Sequence, residues 1–348
     1  RNFDNHERVI FAHDELSGLK AVVAIHNSAL GPAFGGCRMW PYSHDDDALT
    51  DALRLSRGMT YKATICDLPY GGGKSVIIGN SRTEKTEDLV RAMGRLVESL
   101  GGSYIIADDV GTTLADLAIM RRETSHTAAA TEAAQSDLAV TAYGVLMGIE
   151  ATVAQIFDRG DMEGLRFAVQ GLGNVGMPLC EHLHARGAKL IVTDVDRARM
   201  QVAKDRFGAE VSEPDAIYDA DADIFSPCAL GAILNPETIP RLKVRAVCGG
   251  ANNQLLHAEH DEGLARRGIA FVPDYLVNAG GVIDFYQEAI DDRPEAILKS
   301  VERIRSIADD ILRRARDAGE TPMTTADRIV RQRLQAARNR SQSTQQGS

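Results

Sequence analysis

An α/β architecture in two domains is predicted from the sequence by three observations. Short β-branched runs alternate with helical periodicities from end to end, the pattern of parallel strands joined by helices. The chain has 348 residues, roughly twice the length of a single domain. An apolar stretch beginning at Val140 leads into a strand that ends on a glycine-rich turn, which marks the start of a second unit. The domains are therefore read as 1–139 and 140–292, with the helices of 293–348 returning to pack on the first.

Composition narrows the function. With 44% hydrophobic and 25% charged residues the chain is globular rather than disordered or fibrous. Lys plus Arg number 39 against 49 Asp plus Glu, a formal charge of −10. That balance argues against nucleic acid and acidic membranes as partners. The five cysteines (Cys37, Cys66, Cys180, Cys228 and Cys248) are scattered and form no CxxC, so reduced thiols and a cytoplasmic location are expected. Apolar runs such as 21–25 fall well short of the roughly 20 residues that cross a bilayer, and no membrane span is expected. The opening RNFDNHERVIFAHDE lacks the apolar centre of a secretory signal.

Along the chain, the acidic cap Asp45, Asp46 and Asp47 and the apolar spacing that follows predict a helix reaching Lys62. Runs 75–78 and 104–106 read as buried strands whose carboxyl ends are natural site positions. Thr112 and Thr113 suggest the next helix start. The second domain opens with a helix from Val140, a strand over 165–170, a helix over 178–186 and a strand closing at Asp194. Amphipathic segments 295–318 and 324–336 follow, and the polar RNRSQSTQQGS from Arg338 is expected to fray.

The glycine turn is GLGNVG. Gly171, Gly173 and Gly176, with Asn174 and Val175 between them, follow the strand FAVQ and precede a helix. Glycines so placed allow a tight turn, close approach of a pyrophosphate and tight helix packing, while the helix N-terminus offers free N–H groups. Asp194 lies 23 residues after Gly171, suited to accepting from the adenosine ribose hydroxyls and repelling a 2′-phosphate. A Rossmann dinucleotide-binding domain preferring NAD over NADP follows, with Arg197 and Arg199 as the features that speak against the preference.

In the first domain Tyr70-Gly71-Gly72-Gly73-Lys74-Ser75 is not a P-loop, because Leu68 stands where that motif needs glycine. Three glycines would let a substrate or a backbone segment come very close to Lys74, and Lys62 lies twelve positions earlier. A like charge and partial burial both lower an ammonium pKa, so Lys74 could titrate near neutrality as an acid or base while Lys62 stays cationic and holds a carboxylate. Two solvated lysines are the plainer reading of any such pair; the glycine run and apolar flanks argue for a site. Asp109, just past a strand, could position an ammonium or shuttle a proton, although a helix cap is the commoner use of such a residue. His182 and His184 point to different sides of their helix and no metal is assigned. Cys37 and Cys66 read as buried small residues.

Lys62, Gly71 to Lys74, Asp109, GLGNVG, Pro227-Cys228-Ala229, GGANNQL and Asn278-Ala279-Gly280-Gly281 occur in this order, together with GPAFGGCRMW and PDYLVNAGG. In these motifs the sequence resembles the leucine, valine, phenylalanine and tryptophan dehydrogenases of the glutamate dehydrogenase type. The resemblance implies an N-terminal α/β substrate and oligomerisation domain beside the Rossmann domain, a homo-oligomer, and NAD-dependent oxidative deamination of a hydrophobic L-amino acid to its 2-oxo acid. It implies that Lys62, helped by the Gly35 backbone, pairs with the substrate carboxylate, that Lys74 is the general acid/base and that Asp109 manages protons. It also implies that Cys228, Ala229, Asn252 and Asn278 join the glycine loop in binding NAD. The side-chain pocket maps to Phe34, Met59, Ala107, Val282 and Phe285, which disfavours glutamate and leaves branched-chain and aromatic substrates open. An unusual amino acid as substrate, or a non-catalytic NAD-binding regulatory subunit, are the alternatives. One departure stands out: residues 126–137 are rich in alanine where the family has glycine, implying a stiffer connection between domains and an effect on closure.

Overall fold

The computed structural model describes residues 3–128, 137–288 and 290–346. Most of the alanine-rich connection, residues 129–136, lies outside the described residues. The chain divides into two compact units, Arg1–Ala134 with Val330–Ser348, and Gln135–Ile329.

The first unit holds a five-stranded sheet of β1 (Arg8–Asp14), β2 (Leu19–Asn27), β3 (Ala33–Trp40), β4 (Gly71–Ile78) and β5 (Tyr104–Asp108), in the order β1-β2-β4-β3-β5. This sheet is mixed: β1 with β2 and β2 with β4 are antiparallel, whereas β3 runs parallel to β4 and β5. The expectation of parallel sheets therefore fails at the N-terminus. Only a turn separates β1 from β2, and a turn can join neighbours only antiparallel.

Helix α1 (Asp45–Ile65) carries its acidic first turn where the macrodipole favours it and buries Ala48, Ala52 and Leu53 on Val22, Ala24 and Val76. The strand β4 starts at Gly71 rather than at Ser75. Its glycines sit inside the sheet because a side chain would not fit. A Cβ on Gly72 would fall 2.1 Å from the Thr60 nitrogen on α1, and one on Gly73 would meet the Tyr104 ring at 2.7 Å. After α2 (Glu87–Ser99), α3 (Leu114–Met120) begins at the Thr113 cap, with Asp116 completing a reciprocal capping box.

The second unit starts with α4 (Asp137–Phe157) and builds a six-stranded parallel sheet. Its strands are β6 (Arg166–Gln170), β7 (Lys189–Thr193), β8 (Glu210–Val211), β9 (Ile224–Pro227), β10 (Ala246–Val247) and β11 (Ala270–Phe271), in the order β11-β10-β9-β6-β7-β8. Helices α5 (Gly176–His184) and α6 (Arg197–Phe207) link β6 to β7 and β7 to β8. Beyond β8 the chain returns to the other side of β6, so the strand order reverses between β6 and β9. Ala168, Ile191, Phe225, Val247 and Phe271 form the centre of one face of the core.

Two expectations are corrected in the C-terminal half. Helix α10 (Pro294–Ala318), which follows α7 (His260–Ala265), α8 (Asp274–Val277) and α9 (Gly280–Glu288), packs on α4 and α9 and stays with the second unit. Only the part of α11 (Pro322–Gln346) from Val330 onward belongs to the first unit. That helix also runs on to Gln346, where a frayed tail is expected from Arg338, because the Arg and Gln residues of this segment extend an existing helix at little cost. Apolar length needs a correction too. The stretch Val140–Phe157 is long and apolar enough to cross a membrane, but most of it is buried as a core helix.

Candidate active site

In the first unit the chemistry gathers on the face of the sheet that α1 covers. Side chains alternate along a strand, so Gly72, Lys74 and Val76 share a face, and Arg38, paired with Val76 in register, shares it too. Lys74 is 4% exposed, and its ammonium is paired with Oδ2 of Asp109. Burial is the largest influence and the Arg38 charge the second; together they bring the Lys74 ammonium from 10.5 down to about 7. The Asp51 and Lys62 charges also reach it, and that of Lys62 pushes in the same direction as Arg38.

Asp109 arrives from the carboxyl end of β5 and is fixed by several contacts. Its backbone N–H donates to Thr112 Oγ1 at 3.0 Å, and that hydroxyl donates in turn to the Cys37 carbonyl at 2.7 Å. Its Oδ1 accepts from the Val110 N–H at 2.5 Å and from Arg38 Nε at 3.3 Å. Gly36 makes the approach possible, since a Cβ there would lie 2.7 Å from the Asp108 carbonyl and 2.9 Å from the Asp109 Cβ. Gly35, similarly, would thrust a Cβ to 1.8 Å from the Gly73 carbonyl. The Arg38 guanidinium reaches on to Asp51 Oδ2 at 2.8 Å, where the Tyr42 hydroxyl also donates at 2.5 Å. Gly36, Arg38, Tyr42, Asp51 and Thr112 join the candidate site through contacts that their own stretches of sequence do not announce. GGCRM is visible as a motif, but the partners of its arginine lie 13 and 71 positions away.

Of the other first-unit candidates, Phe34 is buried on β3 with its ring 5.5 Å from that of Tyr70, Ala107 lies on β5, and Met59 and Lys62 lie on α1. Val282 and Phe285 belong to the second unit, one helical turn apart on α9.

The second unit brings its candidates together at the strand-order reversal. Gly171 follows β6 with φ +92°, and a Cβ there would strike Ala229 at 2.6 Å, just past Cys228 at the end of β9. A Cβ on Gly176, at the start of α5, would meet the Gly171 carbonyl at 1.8 Å. At Gly173 the space is open but for Arg199 Nη1 at 3.6 Å. Close-packed outer glycines and an open middle one make a cradle that fits a dinucleotide pyrophosphate. Asp194 accepts the Leu172 N–H at 2.6 Å and the Asp196 N–H at 2.8 Å, so the carboxylate is aimed beside this loop. Arg197 lies 3.6 Å from Glu213, whereas Arg199 sits over the loop and 3.5 Å from Asp196.

Asn278 donates to Asn252 Oδ1 at 2.8 Å and to the Gly250 carbonyl at 3.2 Å. A Cβ on Gly250 would meet Val175 at 2.7 Å, which brings the two asparagines to the same loop. Cys228 is half-buried and burial holds its thiol up at about 11, so it is no nucleophile at neutral pH.

Comparison with known proteins gives the same two parts. Residues 6–126 match the dimerisation domain of the Glu/Leu/Phe/Val dehydrogenases, and residues 134–198 and 192–341 match the glutamate/leucine/phenylalanine/valine dehydrogenase family. The chain is 45% identical over 347 residues to a leucine dehydrogenase of Bacillus subtilis, covering 99% of this chain and 95% of that protein. It is 46% identical over 330 residues to an L-tryptophan dehydrogenase of Nostoc punctiforme, covering 94% and 93%. A crystal structure of L-tryptophan dehydrogenase from Nostoc punctiforme superimposes with a TM-score of 0.83, at 43% identity, over 96% of this chain and 97% of that one.

Proposed function

The chain belongs to the Glu/Leu/Phe/Val dehydrogenase family, and from that premise we propose the roles of its residues in the oxidative deamination of a hydrophobic L-amino acid. The reaction takes an amino acid, water and an oxidised nicotinamide dinucleotide to a 2-oxo acid, ammonium, the reduced dinucleotide and a proton.

Lys74 is the general base and acid. A buried amine with a pKa near 7 can take and return a proton at working pH, which an ordinary lysine cannot. This is the single observation that carries the reading. Lys62, on α1, holds the substrate carboxylate with the help of the Gly35 backbone, and a bound nicotinamide dinucleotide would supply the hydride acceptor for oxidation of the α-carbon. Lys74 then deprotonates water for attack on the iminium carbon, and Asp109 steadies the ammonium and passes protons as the carbinolamine expels ammonia. Phe34, Met59 and Ala107 supply apolar contact to the substrate side chain.

Gly171, Gly173, Asn174, Val175 and Gly176 cradle the pyrophosphate, with Cys228 and Ala229 alongside. Asn252 and Asn278, already joined to each other, offer amide groups to the carboxamide of the nicotinamide. Asp194 favours NAD, because a carboxylate beside the loop accepts from ribose hydroxyls and repels a 2′-phosphate. A homo-oligomer assembled through the first unit is supported by the dimerisation-domain match and by the exposed Phe11 on the outer strand β1. Five free thiols suit a cytoplasmic location.

The test is NADH formation at alkaline pH with L-leucine, L-valine, L-phenylalanine, L-tryptophan and L-glutamate, beside the Lys74→Ala variant. Turnover with one or more of the apolar substrates, lost in the variant, is the expected result. Full activity in the variant would remove Lys74 from the mechanism.

A further inference from the structure

The Lys74–Asp109 pair poses a problem that its own geometry does not solve. A buried ammonium bound one-to-one by a carboxylate is stabilised as the cation and makes a poor base. Yet Asp109 does not belong to Lys74 alone. Its other oxygen faces Arg38 Nε at 3.3 Å and Nη2 at 3.4 Å, and Arg38 is itself drawn the other way by Asp51 at 2.8 Å. Tyr42 completes the row by donating to the same Asp51 oxygen. The side chains of Arg38, Asp109 and Asp51 are 22%, 17% and 26% exposed, so the row is shielded enough for charge to count.

We propose that Arg38 is a positioning residue for the dehydrogenase reaction, which divides the Asp109 carboxylate between two cations and thereby leaves the Lys74 amine available as a base. Asp51 sets how strongly Arg38 is held away from Asp109, and acts on Lys74 with the opposite sign. The proposal rests on the reading of Lys74 as the general base.

Among the described residues the charges that act on Lys74 have defined parts. Arg38 comes from β3, Asp51 and Lys62 from α1, and Asp108 and Asp109 from the end of β5. The neighbouring Cys37 lies on the other face with Ser75, and burial pushes its thiol up to about 11, so it is uncharged at working pH. Removing Arg38 deletes a like charge and returns all of Asp109 to Lys74, and both changes favour the ammonium. Removing the Asp51 charge deletes a distant counter-charge and frees Arg38 for Asp109, and both changes favour the free amine. The two substitutions therefore pull in opposite directions, which no loss of packing would do.

The experiment is the pH profile of kcat/KM for the amino acid at saturating NAD, in wild type, Arg38→Met, Arg38→Lys and Asp51→Asn. The acid limb is expected near pH 7 in wild type, about one unit more alkaline in Arg38→Met and about half a unit more acid in Asp51→Asn. Arg38→Lys should restore most of the wild-type limb, because it keeps the charge. Limbs that stay fixed while kcat falls, or that move the same way in both variants, would overturn the proposal. Should Arg38→Met not fold, the near-isosteric Asp51→Asn carries the test alone, a limb that is unmoved or moves alkaline being the adverse result. Lys74→Met distinguishes the two levels: if it keeps turnover, the reading of Lys74 fails, whereas a dead Lys74→Met with unmoved limbs refutes only the role of Arg38.

Discussion

At the scale of single residues, charge is placed by backbone as much as by side chain. Asp194 spends one lone pair of each oxygen on a backbone N–H, one of them inside the glycine loop. A carboxylate retains further acceptor sites for ribose hydroxyls. Asp194→Asn keeps the size and removes the charge, so it should raise the KM for NAD about tenfold, worth about 1.4 kcal/mol, and shift the NADP-to-NAD ratio of kcat/KM upward. Steady-state kinetics with both dinucleotides decide this, and an unchanged ratio would show that Asp194 only shapes the loop. Lys62, Lys74, Asp109 and Asp194 could be picked out in the sequence because each sits in a short motif or at a strand end. Arg38, Asp51 and Thr112 could not, since their roles arise from contacts between β3, α1 and the turn after β5, elements far apart in the chain.

At the scale of elements, β4 and α1 meet where glycine replaces a side chain. Gly72→Ala would drive a Cβ into the α1 backbone at Thr60, whereas Gly58, on α1 itself, has no atom within 4 Å of its Cβ position. Gly72→Ala should cost at least about 2 kcal/mol and Gly58→Ala should gain up to about 1 kcal/mol. Thermal melts of the two variants should therefore move to opposite sides of wild type; a Gly72→Ala protein melting like wild type would show that α1 is free to shift. The glycine run was visible in the sequence, but which of its two uses applies was not. Read alone it allows close approach of either a substrate or a backbone, and the register of β4 sets Gly72 against the backbone of α1.

The same helix meets β2 through His26, whose Nδ1 lies 2.8 Å from Thr60 Oγ1 and whose ring packs edge-on against His6 at 4.7 Å. Burial is the main force that lowers the His26 pKa from 6.5 to about 4, and His6 and Arg57 oppose its charge further, against a weaker pull from Asp4. Between these values the unfolded chain binds a proton that the folded chain does not. The stability from His26 is thus complete above pH 6.5 and is lost as pH falls toward 4, by about 3 kcal/mol over that interval. His26→Gln should flatten this slope in urea titrations run from pH 7 to 4.5; an identical slope in the variant would assign the acid sensitivity elsewhere.

At the scale of the whole molecule, the residues proposed for proton chemistry and those proposed for cofactor binding lie in different units. Lys74, Asp109, Arg38 and Asp51 all lie before residue 134, while the cradle around Gly173, Asp194, Asn252 and Asn278 lies within Gln135–Ile329. This division was legible in the sequence as two motif sets separated by the apolar stretch from Val140. The path of the C-terminus was not, because amphipathic helices such as α10 carry an apolar stripe that does not name its partner. Substitutions without shared partners act independently, and the two tasks should separate accordingly. Lys74→Met should lower turnover by about a thousandfold yet keep the stabilisation by NAD, about 2.7 kcal/mol when the dinucleotide stands at a hundred times its Kd. Asp194→Asn should do the converse, weakening that stabilisation while leaving the acid limb of the pH profile in place. Thermal shifts with NAD and pH profiles, measured on both variants, test the division together. A Lys74→Met protein that no longer gains stability from NAD would mean that the dinucleotide is held in part by the first unit.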